Sequence, residues 1–223
     1  MMITSDITVG QLATTHPLAT RVFARHDIDY CCCGGHPLGE VCKQKGLNTE
    51  VVIEEIQKEI SSTESPERSW EDAPLPMLIE YIMTTYHRAL HEELPRLEAM
   101  AQKVVDVHHD KAPEMLTGIL TTYLGLKAEL EQHMQKEEQV LFPMITQGQG
   151  FMASGPIAVM NQEHEAAGAA LARLRELTNG YTVPDEACNT WRALWHGLAA
   201  LEESLHQHIH LENNILFPRS LKS

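Results

Sequence analysis

The 223-residue sequence is poor in aromatic residues, in basic residues and in long apolar runs. Aromatic residues make up only 5% of the chain and strand-like alternation is scarce, which argues against a β-rich fold. No apolar run approaches the roughly 18 residues that a membrane-spanning helix needs. Lys and Arg total 17 against 31 Asp and Glu, and the net charge of −14 argues against nucleic acid or an anionic membrane surface as a partner.

The first ten residues, MMITSDITVG, lack the basic and apolar regions of a secretory signal, so we expect a soluble cytoplasmic protein. Five Cys, an odd number in a reducing compartment, do not indicate a disulfide framework. Leu, Ala, Glu, Met and Gln fill long stretches of the chain, which favours helix. We therefore predict an all-α fold.

Residues 1–62 are predicted to form a small helical domain that contains most of the Cys. A polar, Pro-containing segment without periodicity follows and predicts a linker over 63–72. The four short helices of the first domain are predicted to begin at Thr8, Pro17, Pro37, and either Asn48 or Thr49.

Residues 73–223 carry four long amphipathic segments with short breaks between them, which predicts an antiparallel up-down bundle. We call the segments helices A to D, and we place them at about 74–107, 113–146, 156–177 and 184–217. In each helix one His interrupts the apolar stripe, and in helices B and D a Glu follows one turn later. The helix B stripe, for example, is Leu126, Leu130, His133, Glu137, Val140 and Met144.

The interrupting residues have the composition of a metal site: His87, His133, Glu137, His164, His208 and Glu212. A buried Glu costs several kcal/mol unless it is paired or bound to a cation. Imidazoles and carboxylates without thiolates suit iron or manganese, with zinc as a further option. Six such side chains fit two ions with bridging carboxylates and an open position for a small molecule such as O2 or NO.

A single His-x3-Glu on an acidic helix is usually a solvated pair, but here the motif is repeated. The pattern from His133 to Pro143 recurs 75 positions later, from His208 to Pro218. The histidine of helix A recurs in helix C after 77 positions. The bundle therefore reads as a duplicated helical hairpin, which favours the metal interpretation.

Several other polar residues on these helices have less specific patterns. His206 and His210 lie opposite His208 and are not repeated, so we interpret them as a solvated face. His91 is an extra ligand, an outer hydrogen-bond donor or a plain polar residue, and we favour the last two. Glu129 and Glu163 either hydrogen-bond a ligand imidazole, line a path to the metal, or are solvated charges.

The run Cys31, Cys32 and Cys33 precedes two glycines. Three adjacent thiols can form disulfides, contact a partner, or pass on metal or electrons. Cys42 and Cys188 are isolated, and we predict that both are small core residues.

Two segments, HMQKEEQVLFP and HIHLENNILFP, resemble the haemerythrin-like bundles. With DYCCCGG at 29–35, YHRALHEELP and NQEHEAAG, the chain resembles the RIC (repair of iron centres) di-iron family of the YtfE/ScdA/DnrN type over nearly its whole length. The resemblance implies an ScdA-type N-terminal domain and a haemerythrin-like four-helix bundle. It also implies two non-haem iron ions, oxo- or hydroxo-bridged, on the six residues above. The third Cys departs from the usual pair.

The resemblance further implies repair of iron–sulfur clusters damaged by nitric oxide or oxidative stress, through donation of iron. Catalytic reduction of NO or O2 at the di-iron centre and sensing of a diatomic gas are the alternatives. The expected partners are damaged iron–sulfur proteins, with NO or O2 as small ligands, and neither nucleic acid nor membrane. We expect a monomer or a homodimer.

Overall fold

A computed structural model of the chain describes residues 3–61 and 70–222. Within these ranges the regular structure is helical, apart from an isolated antiparallel bridge between Thr8 and Pro37. The predicted all-α fold is confirmed. Each helix in the described ranges is too short or too polar to cross a membrane.

Four short helices build the N-terminal module, as the sequence predicts. The Thr8 hydroxyl accepts a hydrogen bond from the backbone N–H of Gln11 and caps the first helix. The Asn48 side chain caps the fourth by accepting from the N–H of Glu50, which decides between Asn48 and Thr49. The apolar faces of the four helices share one core. They are α1 (Val9–Thr15), α2 (Ala19–Arg25), α3 (Leu38–Gln44) and α4 (Thr49–Ser61).

The predicted linker 63–72 falls largely on 63–69, which lie outside the described residues, as does residue 62 of the predicted first domain. From Trp70 onward the chain is attached to the bundle. The Trp70 and Tyr81 rings lie 4.6 Å apart, and Arg219 donates to the Trp70 carbonyl at 2.8 Å. The division into domains at 62 and 73 stays a prediction.

The four long helices of the bundle are present, and three of them contain a π-helical turn, a local widening of the helix that is frequent at functional sites. Helix A consists of α5 (Leu75–Ile82), the turn Met83–His87 and α6 (Arg88–His108). Helix B consists of α7 (Pro113–Lys136), the turn Glu137–Leu141 and α8 (Phe142–Thr146). Helix C is α9 (Ser154–Leu177), and helix D consists of α10 (Asn189–Leu211), the turn Glu212–Leu216 and α11 (Phe217–Ser220).

Helix D begins at Asn189, so the predicted start at Pro184 is wrong by five residues. The intervening backbone forms a turn in which the Ala187 N–H donates to the Pro184 carbonyl at 3.0 Å. The Arg192 guanidinium donates to the carbonyls of Asp185 and Ala187, so a side chain satisfies groups that a longer helix would have paired.

The π-helical turn of helix B shifts the buried stripe by one position. Val140, which the sequence places in the core, is 50% exposed, whereas Leu141 is 1% exposed. Pro143 provides a sequence signal for the irregularity, because it has no N–H to donate to the carbonyl four residues earlier. Pro218 occupies the same place in helix D.

Two apolar clusters fill the bundle, and a polar layer lies between them. Along helix A the order is Tyr86 in one cluster, then His87, then Leu90 in the other. The polar layer is thereby closed off on both sides by packed apolar side chains, which exclude water from it.

The N-terminal module docks on helix D through its chain around 30–34. The Asn214 amide donates to the Tyr30 carbonyl at 3.3 Å. Gly10 and Gly34 permit this approach, because a Cβ on either would lie 2.4 or 2.5 Å from the Asn214 Oδ1. His210 is covered by the docked module: it is 5% exposed, and its ring centroid is 5.4 Å from that of Tyr30.

The interpretation of His206 and His210 as a solvated face is therefore wrong for His210 and only partly right for His206, which is half-buried. Burial lowers the pKa of His210 to about 4, so its Nδ1 accepts from the Asn214 amide at 3.0 Å. The sequence pattern of one helix contained no sign of the second domain that covers it.

Candidate metal centre

The structure brings together the six residues that the sequence singles out, and all six are buried. They form two groups whose ligand atoms lie within 4.8 Å of one another in each group. We call the first the AD site, with His87 and His208, and the second the BC site, with His133 and His164. Both groups contain the same two carboxylates, Glu137 and Glu212.

The Nε2 atoms of the four imidazoles point into the cluster. In the AD site the two Nε2 atoms are 3.2 Å apart, and in the BC site they are 3.1 Å apart. Glu137 Oε2 lies 3.4 Å from the Nε2 atoms of His87 and His133. Glu212 reaches Nε2 of His164 at 3.2 Å and Nε2 of His208 at 3.0 Å.

Three of the imidazoles have an acceptor for the opposite ring nitrogen, Nδ1. His87 Nδ1 is 2.8 Å from Glu138, and His133 Nδ1 is 2.9 Å from Glu163. The third pair, between His164 Nδ1 and the Asn213 Oδ1, spans 2.8 Å. A carboxylate only accepts, so it fixes the proton on Nδ1 and leaves Nε2 with a free lone pair.

This arrangement fits a cation. In the BC site, where both Nδ1 atoms face an acceptor, the facing Nε2 lone pairs at 3.1 Å repel each other unless a positive charge lies between them. Both oxygens of Glu137 and Oε2 of Glu212 are buried without a hydrogen-bond partner among the described residues. Burial by itself raises the pKa of Glu212, but the imidazoles of His208 and His164 hold it well below its usual range. Buried carboxylate oxygens that lack a hydrogen-bond donor are suited to bind a metal cation.

Two of the acceptors at Nδ1, Glu138 and Asn213, were not predicted from the sequence. Their positions could have indicated a shared role, because each directly follows the cluster Glu in its copy of the motif. Glu163 was singled out, and the structure pairs it with His133 on the neighbouring helix rather than with the adjacent His164. Metal-bound imidazoles commonly need such partners, which orient the ring and raise its basicity.

The remaining candidates lie further out. Glu129 is exposed, and together with Glu163 and His133 it lines a small cavity that reaches the cluster. The His91 side chain is 57% exposed and 4.0 Å from Glu138, so it lies outside the cluster and beside an acceptor of a cluster imidazole.

The thiol loop, Cys31 to Cys33, lies beside the BC site. Cys31 is buried, Cys32 half-buried and Cys33 exposed, and all three are free thiols. The Cys32 thiol donates to the His164 carbonyl at 3.6 Å. The Cys31 carbonyl accepts from the Asn213 amide at 3.2 Å, so one side chain links the loop to a cluster imidazole.

The Cys31 and Cys32 thiols contact each other. The Cys31 thiol donates to Cys32 Sγ at 3.6 Å and lies 3.1 Å from Asp29 Oδ1. That hydrogen bond and burial both raise the pKa of Cys31, whereas the pKa of Cys32 is lowered because the hydrogen bond outweighs the effect of burial. Burial raises the pKa of Cys33 to about 11. Asp29, Cys31 and Cys32 are close enough to form a further metal-binding group.

The two isolated cysteines differ in burial. Cys42 is fully buried in the N-terminal core, as predicted. Cys188 is exposed, so its prediction as a core residue is wrong. It directly precedes helix D, and its Sγ lies 3.1 Å from His108 Nε2 at the end of helix A.

The comparisons with known proteins identify the family. Residues 78–220 match the model described as the haemerythrin HHE cation binding domain, and residues 5–60 match ScdA_N, a domain of unknown function. The chain is 44% identical over 217 residues to the iron-sulfur cluster repair protein YtfE of Pectobacterium atrosepticum, and 45% identical over 219 residues to that of Escherichia coli K12. In both cases 97% of each chain is covered. The chain belongs to the YtfE family.

Membership of the YtfE family confirms the resemblance seen in the motifs, including DYCCCGG and the two Phe-Pro blocks. The cation-binding domain model spans all six cluster residues. The alignments with these YtfE relatives cover 97% of the chain, so they include the thiol loop as well as the bundle.

Proposed function

We propose that the chain is a di-iron protein that repairs iron–sulfur clusters damaged by nitric oxide or oxidative stress, and that it does so by donating iron. One ion would be held in the AD site and the other in the BC site, with Glu137 and Glu212 bridging them. The observation that carries this proposal is that two four-residue groups share both carboxylates. The relatives named iron-sulfur cluster repair protein YtfE support the role.

Iron, in this proposal, is the cargo that a damaged cluster lacks. The residues of the chain hold and orient it: Nε2 atoms and carboxylates bind, and the acceptors at Nδ1 keep the rings in place. Apolar layers on either side exclude water. Each ion would have only two imidazoles besides the shared carboxylates. So few protein ligands leave positions open for NO or O2 and favour release of the metal.

The thiol loop would contact the recipient iron–sulfur protein or regulate release. Cys33 is exposed to a partner, and Cys32 touches the backbone of a BC-site histidine. A cytoplasmic location and a monomeric or homodimeric state remain predictions.

The proposal is tested by iron content and iron transfer. Protein loaded with Fe(II) under anaerobic conditions is expected to hold two iron ions per chain, and to restore a cluster protein damaged by NO while losing that iron. His133→Ala and Glu212→Ala should each lose much of the metal. His206→Ala, a histidine on helix D outside the cluster, should keep it.

Three outcomes would contradict the proposal. Equal metal loss in all three variants would refute the assignment of ligands. Many turnovers of NO to N2O with an electron donor, without transfer of iron, would favour catalysis instead. Tight reversible binding of a gas with neither result would favour a sensor.

A further inference from the structure

The two halves of the bundle repeat one arrangement with a fixed offset. Positions of helix B reappear 75 residues later in helix D, and positions of helix A reappear 77 residues later in helix C. The hydrogen bonds at Nδ1 obey the same repeat: the pair His87 and Glu138 corresponds to the pair His164 and Asn213. The repeat therefore also predicts which residue should face Nδ1 of the fourth imidazole, that of His208.

The two halves of the bundle differ at the imidazole of His208. The repeat maps the pair His133 and Glu163 onto His208 and Tyr86. Tyr86 offers no carboxylate: its ring stacks on the His208 imidazole, with centroids 5.2 Å apart and planes inclined by 4°. The His208 Nδ1 is buried and lacks a hydrogen-bond partner in the part of the chain that the structure describes.

The acceptors of the BC site are also better anchored than the acceptor of the AD site. Lys136 forms an ion pair with Glu163, and the Cys31 carbonyl holds the Asn213 amide at 3.2 Å. In the AD site the acceptor found among the described residues is Glu138, which is about as exposed as Glu163 (31% against 29%) but has His91, at 4.0 Å, as its basic neighbour instead of a lysine. Among the described residues, the BC site thus has two anchored acceptors, and the AD site has one that lacks such an anchor.

An acceptor at Nδ1 strengthens a metal-bound imidazole, and its loss typically lowers metal affinity about 10–100-fold. We propose that the two ions are held unequally, that the ion of the AD site leaves first, and that Tyr86 and Glu163 are the positioning residues that set this order. The inference rests on the proposed function, because it requires two ions per chain.

The test follows iron release to an excess of a coloured ferrous chelator under anaerobic conditions. The full chain, loaded with two Fe(II), is expected to release one ion per chain in a fast phase and one in a phase about 10–100-fold slower. Glu163→Leu should speed the slow phase toward the fast one. Glu165→Leu, which removes an exposed carboxylate two residues away on the same helix, should leave both phases unchanged.

The opposite substitution adds an acceptor to the AD site instead of removing one from the BC site. Tyr86→Glu places a carboxylate where the repeat expects one, and it should slow the fast phase. If the buried carboxylate prevents folding, which circular dichroism would reveal, the Glu163→Leu variant still decides, because Glu163 lies partly at the surface.

Two results would overturn the inference. One is release of both ions at a single rate that Glu163→Leu does not change. The other is a Glu163→Leu variant in which only the fast phase is accelerated. Both leave the di-iron proposal standing, whereas a chain that never holds two iron ions would refute that proposal before release is measured.

Discussion

The two halves of the bundle, helices A and B against helices C and D, share their cluster residues but not their surroundings. Each half contributes two histidines and one glutamate. The N-terminal module docks on the second half, on helix D through Asn213 and Asn214 and on helix C through the His164 carbonyl. A duplicated hairpin has thus kept one set of candidate metal ligands while its two copies acquired different outer contacts. Comparison of equivalent residues separates what the cluster needs from what the second domain adds.

The largest expected effects test where the halves are alike. Phe142 stacks on His87 at 5.7 Å and Phe217 stacks on His164 at 6.0 Å, and both phenylalanines are 2% exposed. Phe142→Ala and Phe217→Ala should each lower the free energy of unfolding of the metal-free protein by about 3–5 kcal/mol. Urea denaturation followed by circular dichroism measures this. A loss in one variant without a comparable loss in the other would show that the halves do not pack equivalently.

The next comparison tests where the halves differ. Glu138→Ala and Asn213→Ala each remove an acceptor at Nδ1, so each should weaken iron binding about 10–100-fold in a chelator competition. Only Asn213→Ala also removes the shorter of two hydrogen bonds to the Cys31 carbonyl, at 3.2 Å, and leaves the one from the Asn214 amide at 3.4 Å. Its thiol loop should therefore react faster with a disulfide reagent, whereas the Glu138→Ala loop should react like that of the unchanged protein. Equal thiol reactivity in the two variants would refute the link through Asn213.

Docking of the N-terminal module can be weakened without touching the bundle. A Cβ at Gly34 would lie 2.5 Å from Asn214 Oδ1 and 2.8 Å from the Tyr30 carbonyl, whereas a Cβ at Gly35 would meet nothing within 4 Å. Gly34→Ala should cost about 1–3 kcal/mol. Hydrogen exchange of α1 and the thiol loop should increase in Gly34→Ala and stay unchanged in Gly35→Ala. Equal exchange in both variants would mean that the close approach is not required.

The sequence predicted the cluster well because its residues obey two independent regularities. They interrupt apolar stripes at helical spacing, and they recur with the motif. The acceptors Glu138 and Asn213 escaped prediction because their partners lie on neighbouring helices, and a stripe describes only one helix. The burial of His210 escaped for a similar reason, since the covering surface belongs to another domain. The π-helical turns escaped because the expected spacing assumed an unbroken α-helix.

The smallest expected effect concerns the π-helical turns of helices B and D. Val140 and Ile215 occupy equivalent places in the two π-helical turns, yet Val140 is 50% exposed and Ile215 is 4% exposed. Ile215→Val should therefore cost about 0.5–1.5 kcal/mol of stability, a normal loss for one buried methylene. Val140→Ala should stay within about 0.5 kcal/mol of the unchanged protein, because its side chain already faces water. Urea midpoints of the two variants measure the difference. A larger loss at Val140 than at Ile215 would show that the Val140 side chain is packed against the protein in solution, contrary to its exposure in the structure.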